Sequence, residues 1–207
     1  MVIIRVARKV VRVIYEPKII KVLADPVRRE ILRRLRHEPQ TQTQLAYKLS
    51  LTRPSMKHHL QLLRKARLIR VVRTKAESHG ILQKFYEPTS NLFIEDFDKT
   101  PPYLRKYFLQ FHIERLRGML SVLQLIGKQR GDLLQVSSDE LKELAEDIAR
   151  QMARVGKRYE NTGVAMNRET LLITIYSEAL KEIMSESKWK GFFDLIVPNE
   201  NKIPKAP

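Results

Sequence analysis

Residues 52–66, TRPSMKHHLQLLRKA, space their apolar side chains as a helix covered along one side does. Met56, Leu60 and Leu63 fall at i, i+4 and i+7, a buried stripe. At 100° per residue, Lys57, His58, Gln61, Arg64 and Lys65 lie on the opposite side. Arg53 stands at the N-terminal end, where backbone N–H groups also point outward. Thr52 is suited to cap this helix. Just upstream, TQTQLAYKLS sets Thr41 and Gln44 at the spacing of a capping box, with Leu45 and Leu49 inward one turn apart.

Only Ser50 and Leu51 separate the two segments, so the pair makes a helix-turn-helix arrangement. The chain before it is consistent with that. EPKIIKVLA (16–24) gives a short helix with Ile19, Ile20, Val22 and Leu23 on its apolar side. Asp25-Pro26 restarts the chain, since aspartate accepts from first-turn N–H groups and proline is tolerated at the first helical position. The following PVRREILRRLRH places Val27, Ile31 and Leu35 on one stripe, and its five arginines cover the rest as a solvated face, with one or two free to touch phosphate. Residues 2–15, rich in Val and Ile, form a strand or an extended arm. Beyond Leu68, IRVVRT and ILQKFYEP become two strands joined by a polar loop with Gly80. This hairpin, decorated by Arg73, Lys75, His79 and Lys84, is a wing able to lie along phosphate or in the minor groove.

Charge placement gives this arrangement a partner. Residues 1–90 hold 21 Lys or Arg against 6 Asp or Glu, which accounts for nearly all of the net +16. Solubility does not need that asymmetry; a polyanion partner explains it. An α-helix fits the major groove of duplex DNA, and Arg, Lys, Gln and Ser suit base edges and phosphates there. His59 flanks the buried stripe and is read as a hydrogen-bonded, partly buried histidine. His58 faces outward, as a DNA contact or simply in solvent. The chain has no cysteine, so disulfides, thiolate metal sites and thiol switches are excluded. Adjacent histidines on a helix diverge by about 100° and do not make a metal site. No cofactor is signalled.

The run from Asp25 to Pro88 resembles the winged helix-turn-helix domain of arsenic-repressor-like (ArsR-like) transcriptional regulators. DPVRREILRRL is similar to that family's opening helix, RPSMKHHLQLLRKARLI to its recognition helix, and the hairpin ending in YEPT to its wing. The leading VRVIYEPKIIKVL resembles a two-domain archaeal subset with an added helical half. The resemblance covers roughly residues 10–95. It implies a dimer on operator DNA, with Arg53, Ser55, Lys57, His58 and Gln61 at the reading positions. Two departures stand out. Arg67 occupies a corner where the family usually has glycine, so the corner is strained or the helix ends differently. The cysteines of the family's metal sensors are missing, which removes metal sensing as the default effector mechanism.

Residues 91–207 are nearly neutral and mostly helical. A helix from Thr100-Pro101 to about Arg130 carries Leu104, Phe108, Phe111, Met119, Val122 and Ile126 on one stripe. Leu109, Ile113, Leu116, Leu120 and Leu123 make a second, so two adjoining faces need cover, one of them by a second copy of the chain in preference to an entirely intramolecular core. Ser137 and Glu140 box a further helix with Leu141, Leu144, Ile148, Met152 and Val155 inward. Asn167 caps another, carrying Leu172, Ile175, Ala179 and Ile183. The tail, with apolar residues but no period, packs through Trp189, Phe192 and Phe193 and frays past Pro198. Tyr103, Tyr107, Phe108 and Phe111 at helical spacing are core rather than a ligand pocket, and any effector stays unknown.

The expected architecture is mainly α with a small β wing: a winged helix-turn-helix domain (1–95), a helical dimerisation domain (96–198) and a loose tail (199–207). The expected function is a homodimeric, sequence-specific double-stranded-DNA-binding regulator, most simply a repressor. Its recognition helix (52–66) lies in the major groove and its wing (70–86) on the backbone or minor groove. An architectural protein that coats DNA, and a winged module contacting RNA or an acidic protein, are the open alternatives. No phosphate loop, catalytic carboxylate pair or nucleophile–base signature argues for an enzyme. No apolar run reaches the roughly 18 residues of a membrane span, and the expected location is the cytoplasm, at the nucleoid.

Overall fold

The computed structural model describes residues 8–76, 82–128, 136–162 and 167–196. The chain divides into two compact units, residues 1–95 with 156–168, and residues 96–155 with 169–207. The segment 156–168, which the sequence pattern places with the helical half, thus belongs to the first unit.

The first unit runs β1 (Lys9–Ile14), α1 (Pro17–Ala24), α2 (Pro26–His37), β2 (Gln40–Thr41), α3 (Gln42–Lys48), α4 (Arg53–Lys65), β3 (Ile69–Ala76), β4 (Leu82–Pro88) and β5 (Ser90–Glu95). Its helix starts are chemically specified. Asp25 Oδ1 accepts from the Arg28 N–H at 2.9 Å. Thr41 and Gln44 close a full capping box, and Thr52 Oγ1 accepts from the Ser55 N–H at 3.3 Å. Ile31 and Leu35 of α2, Leu45 of α3, and Met56, Leu60 and Leu63 of α4 are buried together with Leu32. Val27 and Leu49, expected inward, are half-buried. The arginines of α2 are less free than a solvated face implies. Arg33 and Arg34 both bind Glu30, and Arg28 reaches back to the Val22 carbonyl.

Two small sheets frame these helices. In one, β4 lies between β2 and β3, antiparallel to both. The second sheet is a parallel pair, β1 with β5, in the register Val11↔Leu92 and Val13↔Ile94. Parallel strands need a long crossover, and here nearly the whole first unit is that crossover. The end of a later helix also reaches this pair. A Cβ on Gly156 would sit 2.6 Å from Ile94 Cδ1, so a side chain there would push that methyl aside. A carboxylate fork ties the sheets' neighbourhood: Glu87 accepts from Arg8 at 2.9 Å and from Arg70 at 2.7 Å. Burial pushes Glu87 up, but the two arginines outweigh it and leave the carboxyl below its ordinary range.

The corner after α4 resolves the question that Arg67 raises. Arg67 adopts the left-handed conformation, φ 54°, as does Ser50 (52°) between α3 and α4. The Leu68 N–H returns to the Leu63 carbonyl at 2.9 Å, closing the helix end. The Arg67 carbonyl then accepts from Arg12 of β1 at 2.7 Å and from Thr89 Oγ1 at 2.8 Å. A side chain therefore sits where glycine is at ease, held there by bonds from two distant segments.

The second unit is helical: α5 (Pro102–Lys128), α6 (Ser138–Arg158, whose last turn belongs to the first unit), α7 (Arg168–Met184) and α8 (Ser187–Ile196). Ser137 and Glu140 form the expected box at the start of α6. Leu141, Leu144, Ile148, Met152 and Val155 are all buried, as are Leu172, Ile175, Ala179 and Ile183. Two readings need correction. The apolar tail is a regular helix, α8, because Asp147 of α6 accepts from the Trp189 indole at 2.9 Å and from Lys188 at 2.6 Å and so anchors its first turn. Further, Phe111 and Val122 do not join Leu104 and Phe108 inside: they are exposed, with Tyr103 and Tyr107, on the outer side of α5. Ile126, Leu123 and the tail beyond Pro198 lie outside the described side chains.

His112 lies inside this unit, its ring stacked on Tyr176 (centroids 6.1 Å apart) and edge-on to Phe111. Burial, with the Arg115 charge adding to it, pushes the imidazole down to about 4. Two predictions follow from these local environments. Arg67→Gly should raise stability by about 0.5–1 kcal/mol in denaturant melts, whereas Arg67→Ala, still left-handed, should not. For His112 the folded pKa lies below the unfolded 6.5. Its stabilisation is complete above 6.5 and drains as pH falls toward 4, by up to about 3 kcal/mol. Fluorescence of Trp189, the only tryptophan, should show a melting midpoint that falls through this window, and His112→Phe should flatten the dependence.

Candidate nucleic-acid interface

Burial of Met56, Leu60 and Leu63 fixes the rotation of α4 about its axis, and Gln42 of α3 fixes its start by donating to the Arg53 carbonyl at 2.9 Å. Arg53, Lys57, His58, Gln61 and Arg64 are consequently exposed, and Ser55 is half-buried beside the Thr52 cap. On the wing, Thr74 pairs with Lys84 and Lys75 with Gln83. Arg73, Lys75 and Lys84 are all exposed. His79 lies outside the described residues.

Between α4 and the wing runs a cleft of about 440 Å³. Arg53, Lys57, Leu60, Gln61 and Arg64 line it from α4, Leu82, Gln83, Lys84 and Tyr86 from β4, and Thr41, Gln42 and Thr43 from the start of α3. It therefore gathers five of the residues picked out from the sequence: Arg53, Lys57, Gln61, Arg64 and Lys84. Arg73, Lys75, Ser55 and His58 lie outside it. Arg73 is laid over the Phe85 ring, its guanidinium 3.9 Å from the centroid, a contact that orients the side chain and leaves its charge in place.

The charged residues that line the cleft are all cations. Arg8, Arg28, Arg33, Arg34, Lys48 and Arg70 are each held by a carboxylate. Among the described residues no carboxylate pairs with Arg53, Lys57, Arg64 or Lys84, and none lines the cleft. Four uncompensated cations on two facing walls create a concentrated positive field, whose natural complement is a polyanion. Tyr86 at the cleft is buried, which pushes its phenol up against the opposing pull of Arg64, so it stays a neutral donor.

His59 is half-buried as expected, but its Nδ1 has no hydrogen-bond partner among the described residues. Burial lowers its pKa, with smaller opposing and reinforcing effects from Asp25, Arg28 and His58. Sequence reasoning missed Gln42, Thr43, Leu82 and Tyr86. The alternation of Leu82, Lys84 and Tyr86 along β4 was the available signal for a shared face. Gln42 and Thr43 gave none beyond the capping box beside them.

Comparison with known proteins agrees with this geometry in the part it reaches. Residues 23–72, from the end of α1 to the middle of β3, match a family described as a helix-turn-helix domain. No curated protein matches the chain. Among solved structures, reduced HlyU from Vibrio cholerae N16961 is similar over 43% of this chain and 76% of that one, at 20% identity and a TM-score of 0.29. The chain thus has a winged helix-turn-helix fold with a further helical unit, and its helix-turn-helix match supports a DNA-binding transcription regulator.

Proposed function

We propose that this protein is a sequence-specific regulator of transcription that binds double-stranded DNA as a homodimer, most simply a repressor, of the ArsR-like two-domain archaeal type. Helix α4 enters the major groove, and the β3–β4 wing lies on the adjoining backbone or in the minor groove. The observation that carries the reading is the cleft in which Arg53, Lys57 and Arg64 of α4 face Lys84 of β4 with no carboxylate among its described lining residues. The interface comprises Arg53, Ser55, Lys57, His58, Gln61, Arg64, Arg73, Lys75, His79 and Lys84. In a cell such a protein sits in the cytoplasm, on the nucleoid.

Dimerisation is supported by the outer side of α5, where Tyr103, Tyr107, Phe111 and Val122 are 61%, 49%, 42% and 57% exposed. Exposed aromatics in a row mark a contact surface more readily than a solvated one. The rival reading, an architectural protein coating DNA, draws on the same cations and differs only in how binding is distributed.

Footprinting over genomic DNA decides between them. A symmetric dimer should protect discrete sites made of two half-sites about 34 Å apart, or a multiple of that; uniform protection would favour coating. Light scattering on Phe111→Glu should show the dimer reduced to monomer, and an unchanged mass would remove this face from the interface.

A further inference from the structure

The exposed residues of α4 do not form one surface. Arg53, Lys57 and Arg64, at i, i+4 and i+11, turn toward the wing and line the cleft with Lys84 facing them. His58 lies about 100° further round the helix than Lys57, is exposed, and does not line the cleft. Gln61 stands between the two directions: it lines the cleft yet lies on the same outward side as His58. The helix therefore presents a crest and a flank, and only the flank is walled in by a second element.

We propose that these two directions do different work, an inference that rests on the DNA-binding reading above. Arg53, Lys57 and Arg64 on the flank, together with Lys84, grip the sugar–phosphate backbone of one strand inside the cleft. Base reading falls to His58 and Gln61 on the crest. The geometry assigns the roles. Base edges lie at the floor of a groove about 12 Å wide and are met by a projecting surface. A phosphodiester projects outward from the duplex and is a point anion, so it enters a recess and is met from both sides. The cleft is such a recess. Cations stand on both of its walls, no carboxylate lines it among the described residues, and Gln42, Thr43 and Gln83 add neutral polar groups that suit the phosphate oxygens and carry no sequence information. Arg64 and Lys84, on opposite walls, close on a single phosphate.

The assignment moves Arg53 and Lys57, which the family resemblance puts at reading positions, from reader to grip. Selection from a pool of random-sequence duplexes, run with the full-length protein and single variants, tests it. Lys57→Ala, Arg64→Ala and Lys84→Ala should enrich the same sequence as the wild type while weakening its binding and that of unrelated duplexes by the same factor. His58→Ala and Gln61→Ala should broaden or change the enriched sequence. Salt titration then tests the shared phosphate. The slope of log affinity against log salt should fall by about 0.9 for Arg64→Ala, by the same for Lys84→Ala, and by no more than that for the double variant. A changed sequence for Lys57→Ala or Arg64→Ala, or an unchanged one for both His58→Ala and Gln61→Ala, would overturn the division. Additive slopes would overturn the shared grip. A wild-type protein that enriches no sequence would take the DNA-reading proposal down as well, an outcome distinct from the others.

Discussion

Three side chains, Met56, Leu60 and Leu63, decide where every exposed group of α4 points. They are almost wholly buried against the first unit, and a helix packed through such a stripe cannot rotate without withdrawing it from the core. Losing any one of them to solvent forfeits about 1.5–3 kcal/mol, a large share of the marginal stability of a small unit. Rotation by a single residue position, 100°, would carry Lys57 away from the wing altogether. The apolar seam is thus what turns a set of cations into a directed surface, and the caps at Thr41 and Thr52 set where along the chain that seam begins.

The wing is aimed by a different device. Its base is held through Glu87, shared by Arg8 and Arg70, and through Thr89, whose hydroxyl joins the corner at Arg67. Helix and wing are consequently referenced to the same few residues, and the width of the cleft between them is fixed by bonds made behind it. A carboxylate with two arginine partners is a demanding arrangement, because loss of Glu87 would leave two part-buried guanidinium groups near each other without their shared counter-charge. It suits a place where geometry matters more than net stabilisation.

What was legible in the sequence was local. The caps at Asp25, Thr41, Thr52 and Ser137, the stripe of α4 and the inner positions of α6 and α7 follow from periodicities that neighbouring residues enforce on each other, and the structure has them where the pattern puts them. What was illegible was pairwise and distant. Strand β5 is six residues long and β2 only two; each exists because of a partner far away in sequence, and short runs such as NLFIE carry no mark of it. Helix α8 hid for a related reason, since its start depends on Asp147, forty residues earlier. The outer stripe of α5 had the composition of a core, and apolar character alone cannot say whether its cover comes from the same chain. Of the site residues, the sequence supplied the cations but not their division between cleft and crest, which needs the wing's register against α4.

The Arg12 side chain spans 55 residues of sequence to reach the backbone just past the end of α4. That single reach sets a boundary no domain match would draw. A fragment trimmed to residues 23–72 would keep the helix-turn-helix pair and still lose β1, the brace at the corner and the strand that roots the wing. The part of the chain that is easiest to recognise is therefore not the part that can be cut out intact. The smallest unit that keeps this corner braced begins upstream of the matched residues.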